Sequence, residues 1–203
     1  MLLRDYQKQR NFFDKRAANW HFPDTDRQKI SAILESVSLP SEGVILDAGC
    51  GTGNLFPVIK KLVAAAMIIA CDMAPQMLNE NRRRNPDLKV PLWVGLCEEL
   101  PLKNKCIDLI LNYCIFPHIK NKTQALSEYW RVLKPGGCYL IIHPQGRRAT
   151  NQKHLQIGKP IVNDFLPPTV SIVNHLQDHG FLIRQIIDCD DLFLIEAVKC
   201  SLH

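Results

Sequence analysis

The chain has 203 residues, with 25 lysines and arginines against 20 aspartates and glutamates (net charge +5); 46% of it is hydrophobic and 22% charged. That length admits one domain, at most with a small lid, and excludes a multidomain assembly. The composition excludes a disordered chain and supplies a core that buries roughly 70% of the unfolded surface without a disulfide or metal, while the mild positive excess suits an anionic small molecule and falls short of a nucleic-acid binder's basic stripe.

Residues 3–18 and 25–38 carry helical apolar spacing, the second ending before Pro40. Gly43–Asp47 is a short apolar run between turn residues and predicts a buried strand, followed by a helix over Asn54–Leu62. Strands are expected at Ala66–Cys71, Val90–Gly95, Ile107–Asn112 and Cys138–His143, with helices at Pro75–Arg84 and Lys122–Leu133. Residues 144–168 read as long, polar and irregular, and a helix follows at Thr169–His179. Phe181–Ile187 and Leu192–Lys199, joined by the acidic turn Asp188–Asp191, predict a terminal hairpin. The alternation predicts an α/β fold, its seven-stranded, mostly parallel sheet covered by helices on both faces.

The eight cysteines stand singly with no C-x-x-C pair, which argues against a zinc ribbon or redox pair and for small buried hydrophobes. The amino terminus turns polar too soon for a signal peptide, and the longest apolar run, Leu62–Cys71, is about half of a bilayer span. A reduced, cytoplasmic protein is expected.

The most informative stretch is Val44-Ile-Leu-Asp-Ala-Gly-Cys-Gly-Thr-Gly-Asn54, three glycines at alternate positions between a strand and a helix. Glycine lets a backbone approach a ligand closely, and a helix start presents free N–H groups to it. Asp72 ends the next strand, where an acid reads as a ribose-hydroxyl acceptor. Asp47 would repel a pyrophosphate but attract an ammonium group, and the G-x-G-x-G spacing fits a nucleoside without pyrophosphate.

These residues resemble the class I S-adenosylmethionine-dependent methyltransferases, in particular the ubiquinone/menaquinone-biosynthesis (type 11) group. Val44–Gly53 matches that family's first motif, Asp72-Met-Ala-Pro-Gln-Met-Leu78 its D-x-S-x-x-M-L segment, and Arg131-Val-Leu-Lys-Pro-Gly-Gly137 its R-x-L-K-P-G-G turn. Phe12–Trp20 is similar to its F-x-x-x-A-x-x-W leader. The resemblance implies a single Rossmann-like domain over 1–203: a helical leader or lid (1–40), a cofactor-binding half (41–143), and a substrate loop, helix and hairpin (144–203). It implies S-adenosyl-L-methionine as cofactor and S-adenosyl-L-homocysteine as product. Gly49 and Gly51 would pack against the methionine portion, Asp72 would take the ribose hydroxyls and Met73 would lie against the adenine, with Trp20, Asp47, Cys50, Cys97, Glu98 and Asn112 completing the site. Leu96 stands where the family commonly has an aspartate for the adenine amine, leaving the Cys97 backbone or Glu98 to position the base; Glu98 reads equally as a solvated loop acid. Tyr6 and Arg16 are further leader candidates, Arg16 for the methionine carboxylate.

Methyl transfer is an in-line displacement, so the expected protein contribution is a dry pocket, with a base where the acceptor needs one. His118, His143 and Arg147 are the candidate catalytic residues: His118 as proton acceptor or rim histidine, Arg147 or Arg148 for a substrate anion. His143, His154 and Asp164 would alternatively bind a metal, but their spacings are unspecific, and no metal is assigned. An N/D-P-P-Y/F motif is absent after Leu111, which disfavours nucleobase or glutamine amide methylation, and Arg82–Arg84 read as a solvated helix cap. A small-molecule acceptor is therefore expected, with an RNA or protein methyltransferase, or a non-catalytic binding domain, as alternatives.

Overall fold

The computed structural model describes residues 2–200; Met1 and residues 201–203, which the predicted domain also includes, lie outside the described residues. A leader of α1 (Leu2–Asp14), a 3-10 turn (Ala17–Asn19) and α2 (Asp24–Glu35) precedes β1 (Val44–Ala48), α3 (Phe56–Leu62), β2 (Met67–Asp72), α4 (Pro75–Arg84) and β3 (Leu92–Val94). Then come β4 (Ile107–Tyr113), α5 (Lys122–Val132), β5 (Leu133–His143), α6 (Arg147–Ile157), α7 (Thr169–Asp178), β6 (Phe181–Asp188) and β7 (Phe193–Lys199).

The seven strands form one sheet in the order β3-β2-β1-β4-β5-β7-β6. β1 to β5 run parallel, and β7 inserts antiparallel between β5 and β6, so the terminal hairpin expected from sequence closes one edge. Period-two alternation divides the strands between two helical layers. Ile45, Ile68, Leu109 and Leu140 pack with α2 and α3, through Ile30, Leu34, Phe56 and Ile59. Leu46, Ile69, Ile110 and Ile141 pack with α5 and α7, through Leu126, Tyr129, Ile172 and Leu176. A third, smaller cluster seats the leader: Phe12, Phe13 and Ala17 against Ala74, Met77 and Ile161.

The sheet reverses direction between β1, which steps to β2 on one side, and β4, which lies on the other. A crevice opens at the carboxyl ends of these strands, where ligands of such folds gather. The K-P-G-G segment does not precede β5 as a turn but bulges from it: Ile107 pairs with Leu133, and the ladder resumes at Leu109–Cys138.

Two expectations are corrected. Residues 144–168 are not irregular throughout, because Arg147–Ile157 form α6. Its buried residues are polar, Thr150 and His154 one turn apart, while Leu155 is exposed and Ile157 only partly covered, so the apolar period that marks a helix is missing. Asn112 does not face the crevice. Its Nδ2 donates to Ala48 O (2.9 Å) and Tyr129 Oη (3.0 Å), and its Oδ1 accepts from Tyr139 Oη at 2.6 Å. The amide is spent on a buried polar node that couples β4 to α5 and β5. Removing one hydroxyl of that node in Tyr139→Phe is expected to lower unfolding free energy by about 1 kcal/mol in urea melts, with ligand affinity unchanged.

Candidate active site

One cavity of about 520 Å³ occupies the crevice, and eleven of the thirteen predicted site residues line it: Trp20, Asp47, Gly49, Cys50, Gly51, Asp72, Met73, Cys97, Glu98, His118 and His143. Asn112 and Arg147 do not.

The glycine loop owes its path to the close packing around it. At Gly49 (φ +85°) a Cβ would stand 2.4 Å from Ile115 Cγ1, so no side chain fits; at Gly51 (φ +51°) a Cβ would meet nothing, and the space belongs to the cavity. The amides of Gly49 and Cys50 both donate to Cys71 O, at 2.8 and 2.9 Å, which ties the loop to the end of β2. The following helix begins only at Phe56, not Asn54, so its N-terminus stands away from the glycines and the polarity facing a ligand comes from two carboxylates.

Asp72 closes the loop from the next strand: one carboxylate oxygen accepts from Gly51 N (2.9 Å) and the other from Ala74 N (2.8 Å). Burial pushes its pKa up to about 6 against those two hydrogen bonds. Asp47 is different. Its carboxylate is sealed from solvent and neither oxygen has a hydrogen-bond partner, a state that costs free energy unless something arrives to meet it. Burial first, and then the Asp72 charge, push its pKa up to about 8.

The leader forms one wall. Trp20 packs edge-on to Phe13 (centroids 5.9 Å), and Arg84 holds it by donating to its carbonyl at 2.7 Å. Arg84 also reaches Thr52 Oγ1 (3.3 Å) and Ala17 O (3.3 Å), so the last arginine of the basic run is a strut between leader and loop, not a solvated cap. Arg83, by contrast, pairs with Glu80 at the surface. Glu98 is buried rather than solvated: Tyr6 Oη donates to it, as does Asn121 N at 3.2 Å, joining α1 to the loop after β3. Leu96 lines the cavity beside it.

Beyond the loop the cavity continues into a chamber walled by Phe13, Ile115, Ile157 and Ile161, with three buried histidines, His118, His143 and His154. His143 Nε2 is sealed and unpartnered, and burial, with His118 and His154 nearby, pushes its pKa down to about 3. Arg147 stays outside, its Nε 3.3 Å from Asp188 on β6. Lys153, nearly two turns further along α6, lines the cavity instead. The displacement follows from α6: a helix turns residues 147 and 153 to different sides, which an irregular loop reading did not anticipate. Ile157, in the last turn of α6, lines the cavity for the same reason, and Ile161 joins it from the segment after the helix. Among the described residues no group of three or more His, Cys, Asp or Glu is arranged to hold a metal ion.

Residues 46–141 match the family described as methyltransferase domain. A demethylmenaquinone methyltransferase of Chlorobaculum tepidum is 30% identical over 116 residues, 57% of this chain and 47% of that protein. The chain spans about half the length, or less, of the curated relatives it matches first. Among solved structures, a putative methyltransferase in complex with the Haloferax volcanii Trm112 methyltransferase activator superposes with a TM-score of 0.75 at 17% identity, covering 93% of this chain and 98% of that one. A geranyl diphosphate C-methyltransferase of Streptomyces coelicolor, in complex with Mg²⁺, geranyl-S-thiolodiphosphate and S-adenosyl-L-homocysteine, gives 0.69 at 15% identity, over 85% and 75%.

Proposed function

We propose that the chain, whose residues 46–141 match the family described as methyltransferase domain, transfers a methyl group from S-adenosylmethionine to a small-molecule acceptor held in the histidine-lined chamber. The observation that carries the reading is the pair of buried carboxylates on one cavity: Asp47, unpartnered and in want of a cation, and Asp72, fixed by two amides with lone pairs to spare. S-adenosylmethionine offers an ammonium to the first and ribose hydroxyls to the second. When bound, the cofactor supplies an electrophilic methyl on a sulfonium. The chain's own residues hold and orient it: the glycine loop gives room, Trp20 and Met73 give apolar cover, and Arg16, which also lines the cavity, is the cation for its carboxylate.

The acceptor chamber lies within the same cavity, so acceptor and methyl are brought together out of water by Phe13, Ile115, Ile157 and Ile161. His118 takes the acceptor's proton, His143 stays neutral, and Lys153 replaces Arg147 as the cation for an anionic substituent. A small acceptor is also what the printed names of the Chlorobaculum and Streptomyces proteins describe. Among the described residues no helix is long and apolar enough to cross a membrane. The eight free cysteines fit a reducing, cytoplasmic setting.

Titration calorimetry of the full chain against S-adenosylmethionine, S-adenosylhomocysteine and NAD tests the reading. Saturable binding of the first two, with none of NAD, is expected; binding of NAD alone would reject it.

A further inference from the structure

Asp164, in the segment after α6, is 3% exposed and more heavily bonded than any residue the cofactor would need. One carboxylate oxygen accepts from Gln9 Nε2 of α1 (2.7 Å) and from His118 Nδ1 (2.9 Å); the other pairs with Lys120. Its backbone carbonyl accepts from His154 Nδ1. Three segments distant in sequence, α1, residues 118–120 and α6, thus converge on one acid, which touches the cavity-lining His118 and His154 from behind.

We infer that Asp164 is the positioning residue for His118, fixing its Nδ1–H tautomer so that a bare Nε2 faces the acceptor chamber as the proton-accepting atom. This rests on the methyltransferase reading for its purpose, though not for its geometry. An ionised carboxylate accepts only, so the nitrogen it contacts must carry the hydrogen, and the lone pair is left on Nε2. His118 lines the cavity, and among the described residues Nε2 takes no hydrogen bond; unlike Nε2 of His143, it is not sealed from solvent. The ring cannot swing away: Phe13 meets it edge-on at 5.1 Å and His154 lies 4.8 Å off its other side.

Charge around the ring favours the neutral base. Burial lowers the His118 pKa, His154 and Lys120 lower it further, and only Asp164 opposes them. Burial pushes the Asp164 carboxyl up, but its bonds to His118 and Lys120 outweigh that and hold it below the usual range. The pair is therefore carboxylate and neutral imidazole, with the Lys120 ammonium balancing the acid. In the reaction, the acceptor atom's electron pair forms the bond to the methyl carbon while the carbon–sulfur bond breaks, its pair remaining on sulfur as neutral thioether. The acceptor's proton passes to His118 Nε2 and from there to solvent. Such a unit serves acceptors whose nucleophilic atom must lose a proton, such as a weakly acidic hydroxyl.

The test is nitrogen NMR of the histidine side chains in the full chain, with the His118 signals assigned by comparison with His118→Gln. The expected result at pH 7 is a neutral His118 with Nδ1 protonated and Nε2 bare. In Asp164→Asn the pKa of His118 should fall by about one unit, as removal of an adjacent charge requires, and the tautomers should mix, since an amide offers donor as well as acceptor. Lys120→Ala should keep the tautomer and raise the pKa, and it decides the matter if Asp164→Asn fails to fold. An Nε2–H tautomer or an imidazolium at pH 7 in the native protein would overturn the inference, as would an Asp164→Asn spectrum identical to native. S-adenosylhomocysteine titrated into the same samples separates the two claims: an unresponsive native protein with the expected tautomer sinks the methyltransferase reading alone. Retained affinity with the wrong tautomer sinks only the role of Asp164.

Discussion

Replacing Asp72 by alanine is expected to weaken S-adenosylhomocysteine binding by roughly 1.5–3 kcal/mol, the range of hydrogen bonds to a charged group, or about ten- to 150-fold in Kd by calorimetry. Two effects add. The carboxylate has lone pairs for the ribose, and it also anchors Gly51 N and Ala74 N, so alanine frees the loop as well as the sugar. Asp72→Asn separates them. Its side-chain oxygen can keep one amide in place while the charge is lost, so it should fall between native and alanine. An alanine variant with native affinity would remove Asp72 from the ligand site. Because burial raises this carboxyl to about 6, the native affinity should also fall as pH drops below that value, and the alanine variant should lose that dependence.

The fold was legible because its signals are local. Apolar runs bounded by turn residues mark β1, β2 and β4, and the acidic turn at 188–191 joins the final strands. The glycine loop was legible because it demands residue types that nothing else explains: at Gly49 any side chain would strike Ile115. The segment 144–168 was not, and α6 shows why. Its inward face is Thr150 and His154, chosen for a polar chamber floor, so the helix carries no hydrophobic stripe. Without that stripe the sequence sends Arg147 toward the cavity and gives no sign that Ile157 lines it. Asn112 shows the converse: a polar residue ending a strand beside the crevice invites a ligand role, yet two tyrosines from α5 and β5 consume its amide. Nothing in local sequence reports a partner 17 or 27 residues away.

Asp47→Asn should move stability and affinity in opposite directions, and the sign follows from linkage. The folded pKa, about 8, lies above the ordinary value of 3.8, so between about pH 4 and 8 the native state keeps a proton that the unfolded chain has released. Unfolding free energy contributed by this group therefore falls as pH rises through that window and levels off above it, a destabilisation on the order of 5 kcal/mol at its upper end. Asparagine removes the titration. Part of the gain is offset because its amide is also buried without partners, which costs about 1–3 kcal/mol, so the diagnostic is the slope: urea midpoints of the variant should vary less with pH between 5 and 8 than those of the native protein. Binding behaves oppositely. An ammonium beside the carboxylate favours its ionised form, so at pH 7 the native protein should release a proton on binding S-adenosylhomocysteine and gain affinity as pH rises toward 8. The variant should release none and bind at least tenfold more weakly, and calorimetry in two buffers of different ionisation enthalpy reads both. Equal proton release in the two proteins would place the cation elsewhere in the cavity. The expected pattern would instead identify Asp47 as a residue kept against the interest of the empty fold, because only the occupied site relieves it.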